Sequence, residues 1–157
     1  MKSSIRHSMI SYVFARFVNI VAISAFSIFV ASCSDNEDEK MIEENATQFC
    51  NCFYNFDYSC AMAHCTQESD SWIRYSVSNL SQEDIDVINS DDEKATCMVR
   101  DIAFVNDSTA IVKMTINNFF RADSIGKAVK FVNSAETEFT SRHRNGRWKI
   151  HLTRVIG

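Results

Sequence analysis

The sequence predicts an α+β domain in which helices come first and pack on a curved antiparallel β-sheet. Three observations lead there. Apolar residues recur at helical spacing from Met41 to Ile88, and from Ala95 onward the pattern changes to strand-like runs of β-branched and apolar residues. Between two of those runs stands Asn145-Gly146, the strongest short hairpin signal in the chain. Helices followed by hairpin-linked strands give one layer of each.

The segment before this domain reads as an address. Lys2, Arg6 and Arg16 precede a largely apolar run from Phe17 to Val30, and no acid occurs before Asp35. That run is shorter than the ~20 residues a membrane-spanning helix needs, and it fits a signal peptide. Val30-Ala31-Ser32-Cys33 then resembles the lipobox of bacterial lipoproteins. The resemblance implies that the Cys33 sulfur receives a diacylglyceryl group, with palmitate-type chains, and that cleavage makes Cys33 the new N-terminus. Each buried methylene contributes ~0.8 kcal/mol, so two or three acyl chains hold a protein on a bilayer. The acidic run Ser34–Glu39 resembles the signal that sends some lipoproteins to the outer face of the outer membrane, and an acidic block is also a solvated tether. The expected organisation is a signal peptide over 1–32, a lipidated cysteine and acidic tether over 33–40, and one domain over 41–157.

Within the domain, Ile42, Ala46, Phe49, Cys50 and Phe53 paint one face of a first helix from Met41 to Phe53. Asn55-Phe56-Asp57 breaks it, and Tyr58 to Cys65 predicts a second helix with Ala61 and Met62 inward. A short helical piece around Glu68 to Ser76 places Trp72 and Ile73 against the core. Ser81-Gln82-Glu83-Asp84 is an N-cap with acids in the first turn, opening a helix from Gln82 to Ile88. Strands are predicted over Ala95 to Phe104 and Thr109 to Phe119 around an Asn106-Asp107 turn, within Val129 to Arg144, and over Arg147 to Val155. A two-residue turn at Asn145-Gly146 pairs Arg144 with Arg147, His143 with Trp148, Ser141 with Ile150 and Phe139 with Leu152. It sends Phe139, Trp148, Ile150 and Leu152 to one face, and Arg142, Arg144, Arg147, Lys149 and His151 to the other.

Ala46-x2-Phe49, Asp57-Tyr58, Ala61, Thr66-x-Glu68-Ser69, Asp107-Ser108-Thr109-Ala110-x-Val112 and Arg144-Asn145-Gly146-Arg147-Trp148-Lys149 together resemble the cone-shaped nuclear transport factor 2-like superfamily. Within it, the likeness is to lipoproteins whose domain has no assigned function. The resemblance implies a hollow between helices and concave sheet. Members include isomerases, dehydratases, hydrolase accessories, transport factors and immunity proteins, so the fold does not select an activity.

Composition excludes more than it selects. Removing Lys2, Arg6 and Arg16 leaves 13 cationic residues against 20 acids, a net charge of −7, which disfavours nucleic acid or anionic lipid as the main partner. Proline is absent and glycine occurs only at 126, 146 and 157, so there is no glycine-rich phosphate loop. No cofactor is expected. Cys50, Cys52, Cys60, Cys65 and Cys97 follow Cys33, and outside the cytosol disulfides are permitted. A hairpin turning at Asn55-Phe56-Asp57 brings Cys52 level with Cys60 and Cys50 toward Cys65, making these the pairs to test against buried thiols. Cys-x-Cys and Cys-x4-Cys are not the usual zinc spacings.

Two kinds of site suggest themselves. Asp101, alternating with Cys97, Val99 and Ala103, would point inward, where a carboxylate near Tyr54, Tyr58 or His143 would serve as a general base. Arg142, Arg144, Arg147 and Lys149 form a basic face for an acidic glycan or another partner, although such faces also serve as plain solvent surface. The expected function is a lipid-anchored, outer-membrane, surface-exposed binding or interaction module. The alternatives are a small-molecule enzyme using the hollow, of isomerase, dehydratase or hydrolase type, and an immunity or accessory protein.

Overall fold

The first helix, α1, spans residues 36–54 and buries Ile42, Ala46, Phe49, Cys50 and Phe53, the face its periodicity marks. The computed structural model describes residues 36–90, 92–122, 128–154 and 156, and Glu39–Gly157 forms the compact unit of interest. The signal segment and Cys33 lie outside the described residues. Because α1 begins before Met41, the acidic residues Glu37–Glu39 are helical.

Phe56 turns the chain with a φ of 62°, and the Asp57 carboxylate accepts from the Cys60 amide at 3.0 Å to cap α2, Tyr58–His64. A single 3₁₀ turn, Gln67–Ser69, leads into α3, Asp70–Ser78, with Ile73 fully buried. Helix α4, Gln82–Ser90, opens on a reciprocal cap: Asp84 accepts from the Ser81 amide at 2.9 Å, while the Ser81 hydroxyl accepts from the Asp84 amide at 3.2 Å. The second Asp84 oxygen takes the Val129 amide at 2.9 Å, tying this helix to the chain entering the sheet. These hydrogen bonds, chiefly from Ser81 and then Val129, hold the Asp84 carboxyl below the usual range.

Four antiparallel strands follow in the order β1-β2-β3-β4: Thr96–Asn106, Thr109–Arg121, Lys130–Arg144 and Arg147–His151. The last hairpin has the expected register, with Arg144 opposite Arg147, His143 opposite Trp148 and Ser141 opposite Ile150. It ends at Thr140 opposite His151, because the Leu152 amide leaves the ladder to donate to the Ser69 hydroxyl at 2.9 Å. The first hairpin turns at Asp107-Ser108, one residue later than predicted. On the free edge of β4, Cys65 makes a parallel bridge to Ile150, and the Thr66 amide donates to the Ile150 carbonyl at 2.8 Å.

The helices cover one sheet face, where Ala110, Val112, Met114, Ile116, Phe139, Trp148 and Ile150 are buried. Phe49 lies at its centre, stacked on Phe53 at 5.8 Å and edge-on to Phe139 at 5.4 Å. Asn118 adopts a φ of 54°, a left-handed conformation asparagine tolerates, so β2 changes faces and Phe119 follows Ile116 into the core.

The cysteines pair differently from half of the expectation. Cys52 is bonded to Cys60, as the hairpin suggests, but Cys50 is bonded to Cys97. The reason is the path of α1, which lies antiparallel along β1. Asn55 exchanges two hydrogen bonds with the Ala95 backbone at 2.9 and 3.0 Å, and Asn51 accepts from the Cys97 amide at 3.0 Å. Cys65 is instead carried to the β4 edge as a buried thiol, pushed up to about 12 by burial and then by Asp70.

One core atom lacks a partner. The Ser141 hydroxyl is buried, and no hydrogen-bond partner reaches it among the described residues. Ser141→Ala is therefore expected to raise the unfolding free energy by ~1 kcal/mol, since it removes an unsatisfied polar group from a site that keeps its shape. Urea denaturation of the two proteins checks this, and a lower midpoint for the alanine form would refute it.

Candidate functional site

The aromatic packing that closes the hollow also shapes what remains open. Phe53 meets Tyr54 and Tyr58 edge-on at 5.3 and 5.6 Å, and Tyr54 meets Phe119 at 4.9 Å. These rings fill the space between α1 and the sheet, leaving a cleft at the rim. Its apolar wall is Phe53, Phe56, Phe120 and Ile156, and its polar groups come from Tyr54, Tyr58, Asn79 and Arg121. The interior offers about 40 Å³, room for a few waters or the edge of a ring.

Local structure sets each polar group in place. Tyr54 closes the last turn of α1, Tyr58 opens α2 behind the left-handed Phe56, Asn79 follows α3, and Arg121 ends β2. Burial pushes both phenols up to about 12; for Tyr54 the nearby Arg121 guanidinium partly opposes that rise. Both hydroxyls therefore stay protonated at neutral pH and can donate. Neither has a hydrogen-bond partner among the described residues. Both tyrosines are half-buried at the rim, so their hydroxyls are within reach of a ligand oxygen or water.

Of the sequence-predicted candidates, the cleft contains Tyr58, and Tyr54 beside it. Asp101 is elsewhere: the β1–β2 register shifts between Val99 and Asp101, so Ile102 takes the inward position. Asp101 faces outward, more than half exposed and 3.7 Å from Lys113, and does not reach the hollow. His143 packs on Trp148 at 5.2 Å, at the hairpin end of the sheet.

The basic face is present but partly committed. Lys149 donates to the Ala63 carbonyl at 3.2 Å. His151 shares a 2.9 Å hydrogen bond with the Thr66 hydroxyl, which also bonds Ser69 at 2.9 Å. Burial first, then Arg142, lowers the His151 pKa. Arg144 and Arg147 are exposed beside the turn. Sequence reasoning missed Asn79 and Arg121, since nothing in either neighbourhood distinguishes it from ordinary helix-end or strand-end polarity.

No protein-family model matches the chain, and no curated protein matches it. Solved structures are similar to it. A nuclear transport factor 2-like protein of unknown function from Shewanella oneidensis aligns with a TM-score of 0.50 and 12% identity, over 72% of this chain and 96% of that one. A singly substituted form of Rv3472, a protein of unknown function from Mycobacterium tuberculosis, aligns with a TM-score of 0.51 and 12% identity, over 76% and 72%. At such identity the likeness is one of fold, and it agrees with helices packed on a four-stranded antiparallel sheet in the cone-shaped nuclear transport factor 2-like arrangement.

Proposed function

We propose that this chain is a lipoprotein anchored through Cys33 in the outer membrane, facing outward, whose domain binds a small ligand at the rim cleft without catalysing its conversion. The anchoring reading rests on the signal-like segment and the lipobox resemblance. The binding reading rests chiefly on one observation: core rings occupy the hollow, while Tyr54 and Tyr58 present protonated hydroxyls without protein partners among the described residues at its rim. A fitting ligand has a flat apolar body and one acceptor oxygen. The body lies against Phe56 and Phe120, and the oxygen accepts from the phenols.

Acetophenone, a ring with a single carbonyl, is a suitable probe. Titrated into the isotope-labelled protein, it is expected to shift the amide signals of Tyr54, Tyr58, Ser76 and Asn79. Tyr58→Phe should weaken it about 3- to 10-fold, the equivalent of one net hydrogen bond. Shifts absent from these residues, or unchanged affinity in both Tyr58→Phe and Tyr54→Phe, would remove the cleft as the site.

A further inference from the structure

The geometry points to which end of the domain meets the membrane. This inference rests on the lipid-anchor reading and adds a second, non-covalent contact to it. Asn55 is bonded to Ala95 and Asn51 to Cys97, so descending numbers on α1 keep pace with ascending numbers on β1. Four helical residues rise ~6 Å and two strand residues ~6.6 Å, so the two advance together. From Asn51 back to Glu39 the helix travels ~18 Å, which brings Glu39 level with Ile102 or Ala103, four or five residues from the β1–β2 turn and in the half of the sheet that holds it. A second pin agrees: Asn45 donates to the His64 carbonyl at 3.0 Å, and Thr66 immediately beyond is bonded to Ile150 of β4. The chain therefore enters the domain at the end where both hairpins turn. With residues 36–39 helical, the six steps from Cys33 to Glu39 span at most ~15 Å. An anchor at Cys33 leaves this end little distance from the bilayer.

That end carries surface chemistry suited to lipid. The His143 amide donates to the Ser108 carbonyl at 2.9 Å, which sets the two turns side by side. Val105 and Phe104 are 62% and 40% exposed there. Arg144 and Arg147 flank the Asn145-Gly146 turn, with Arg142 and Lys149 behind them. Acids share this end: Asp107 in the adjacent turn, Glu39 and Glu43 on α1, and Glu68, held below the usual carboxylate range first by backbone hydrogen bonding and more weakly by His151 and Arg144. Such a mixture suits zwitterionic headgroups better than a uniformly anionic sheet. Guanidinium forks match phosphate, while carboxylates match the ammonium of ethanolamine.

We propose that the end bearing both hairpin turns lies on a phosphatidylethanolamine-rich bilayer, with Arg144 and Arg147 on lipid phosphates and Val105 and Phe104 at the top of the acyl chains. The net charge of −7 does not oppose this arrangement, because the contact is local and the headgroups carry both signs. The rim cleft, formed where α1 ends, then faces away from the membrane.

The test uses the full-length chain, processed in a lipoprotein-making bacterium and reconstituted in vesicles of phosphatidylethanolamine with a minor share of phosphatidylglycerol, bromine on the acyl chains. Val105→Trp fluorescence should be quenched relative to the parent protein, whereas Tyr75→Trp, on α3 toward the cleft, should not. Adding Arg144→Glu and Arg147→Glu should abolish the Val105→Trp quenching while circular dichroism stays unchanged. An unquenched Val105→Trp, equal quenching at both positions, or quenching that survives the arginine changes would overturn the proposal. Mass spectrometry separates the two readings: a chain without lipid on Cys33 sinks the anchor and this contact together, whereas a lipidated but unquenched chain sinks the contact alone.

Discussion

Cys97→Ser is expected to lower the unfolding free energy by ~4 kcal/mol, because opening the Cys50–Cys97 bond releases a loop with a sequence separation of 47. The Cys52–Cys60 bond closes a separation of only 8, so Cys60→Ser should cost about 2.5 kcal/mol by the same loop argument. The difference has a second source that acts in the same direction. Cys50 is fully buried and sits beside the Asn51 and Asn55 hydrogen bonds that hold α1 on β1, so loosening it exposes that seam to water. Guanidinium unfolding of the wild type and the two variants measures the order. A Cys60→Ser protein less stable than Cys97→Ser would mean that chain length between the cysteines is not what decides.

Phe49→Ala is expected to cost about 3–5 kcal/mol, the range for deleting a large ring from a packed core. Its ring touches Phe53 and Phe139 and is wholly buried, so the neighbours can collapse only in part. By contrast Phe131→Ala, at a ring 43% exposed, should cost about 1 kcal/mol or less. The Phe49 variant has a second readout. If that ring is what fills the cone, its removal leaves a dry apolar void, and benzene should then raise the melting temperature of Phe49→Ala while leaving wild type unmoved. Absence of any benzene effect would mean that the void closes or fills with water.

What the sequence made legible was local. The Ile42–Phe53 stripe, the Ser81 cap and the Asn145-Gly146 register each depend on neighbours a few residues apart, and each is found in the structure. Asp101 escaped because one extra residue at Arg100 flips the side chains that follow it as far as Phe104, and a bulge leaves no mark in an alternating apolar pattern. The Cys50 partner escaped because choosing Cys97 over Cys65 requires knowing that α1 runs back along β1, a contact across 47 positions. Half of the cleft was visible in Tyr54 and Tyr58, which gather at the helical corner. The other half was not, since Arg121 is brought there by a strand end and Asn79 by a helix end, and their approach depends on tertiary packing rather than on either neighbourhood.

The Cys50–Cys97 bond has a mechanical consequence. Tension applied from the N-terminal side enters α1 and reaches Cys50, from which one covalent link passes it to β1. The intervening helices α2, α3 and α4 are bypassed and carry no load through the backbone between the two cysteines. Once the bond is reduced, the only covalent path from α1 to β1 runs through Phe56, the short helices and the loop before Thr96, and the direct link is left to the Asn51 and Asn55 hydrogen bonds and the packing of α1 on the sheet.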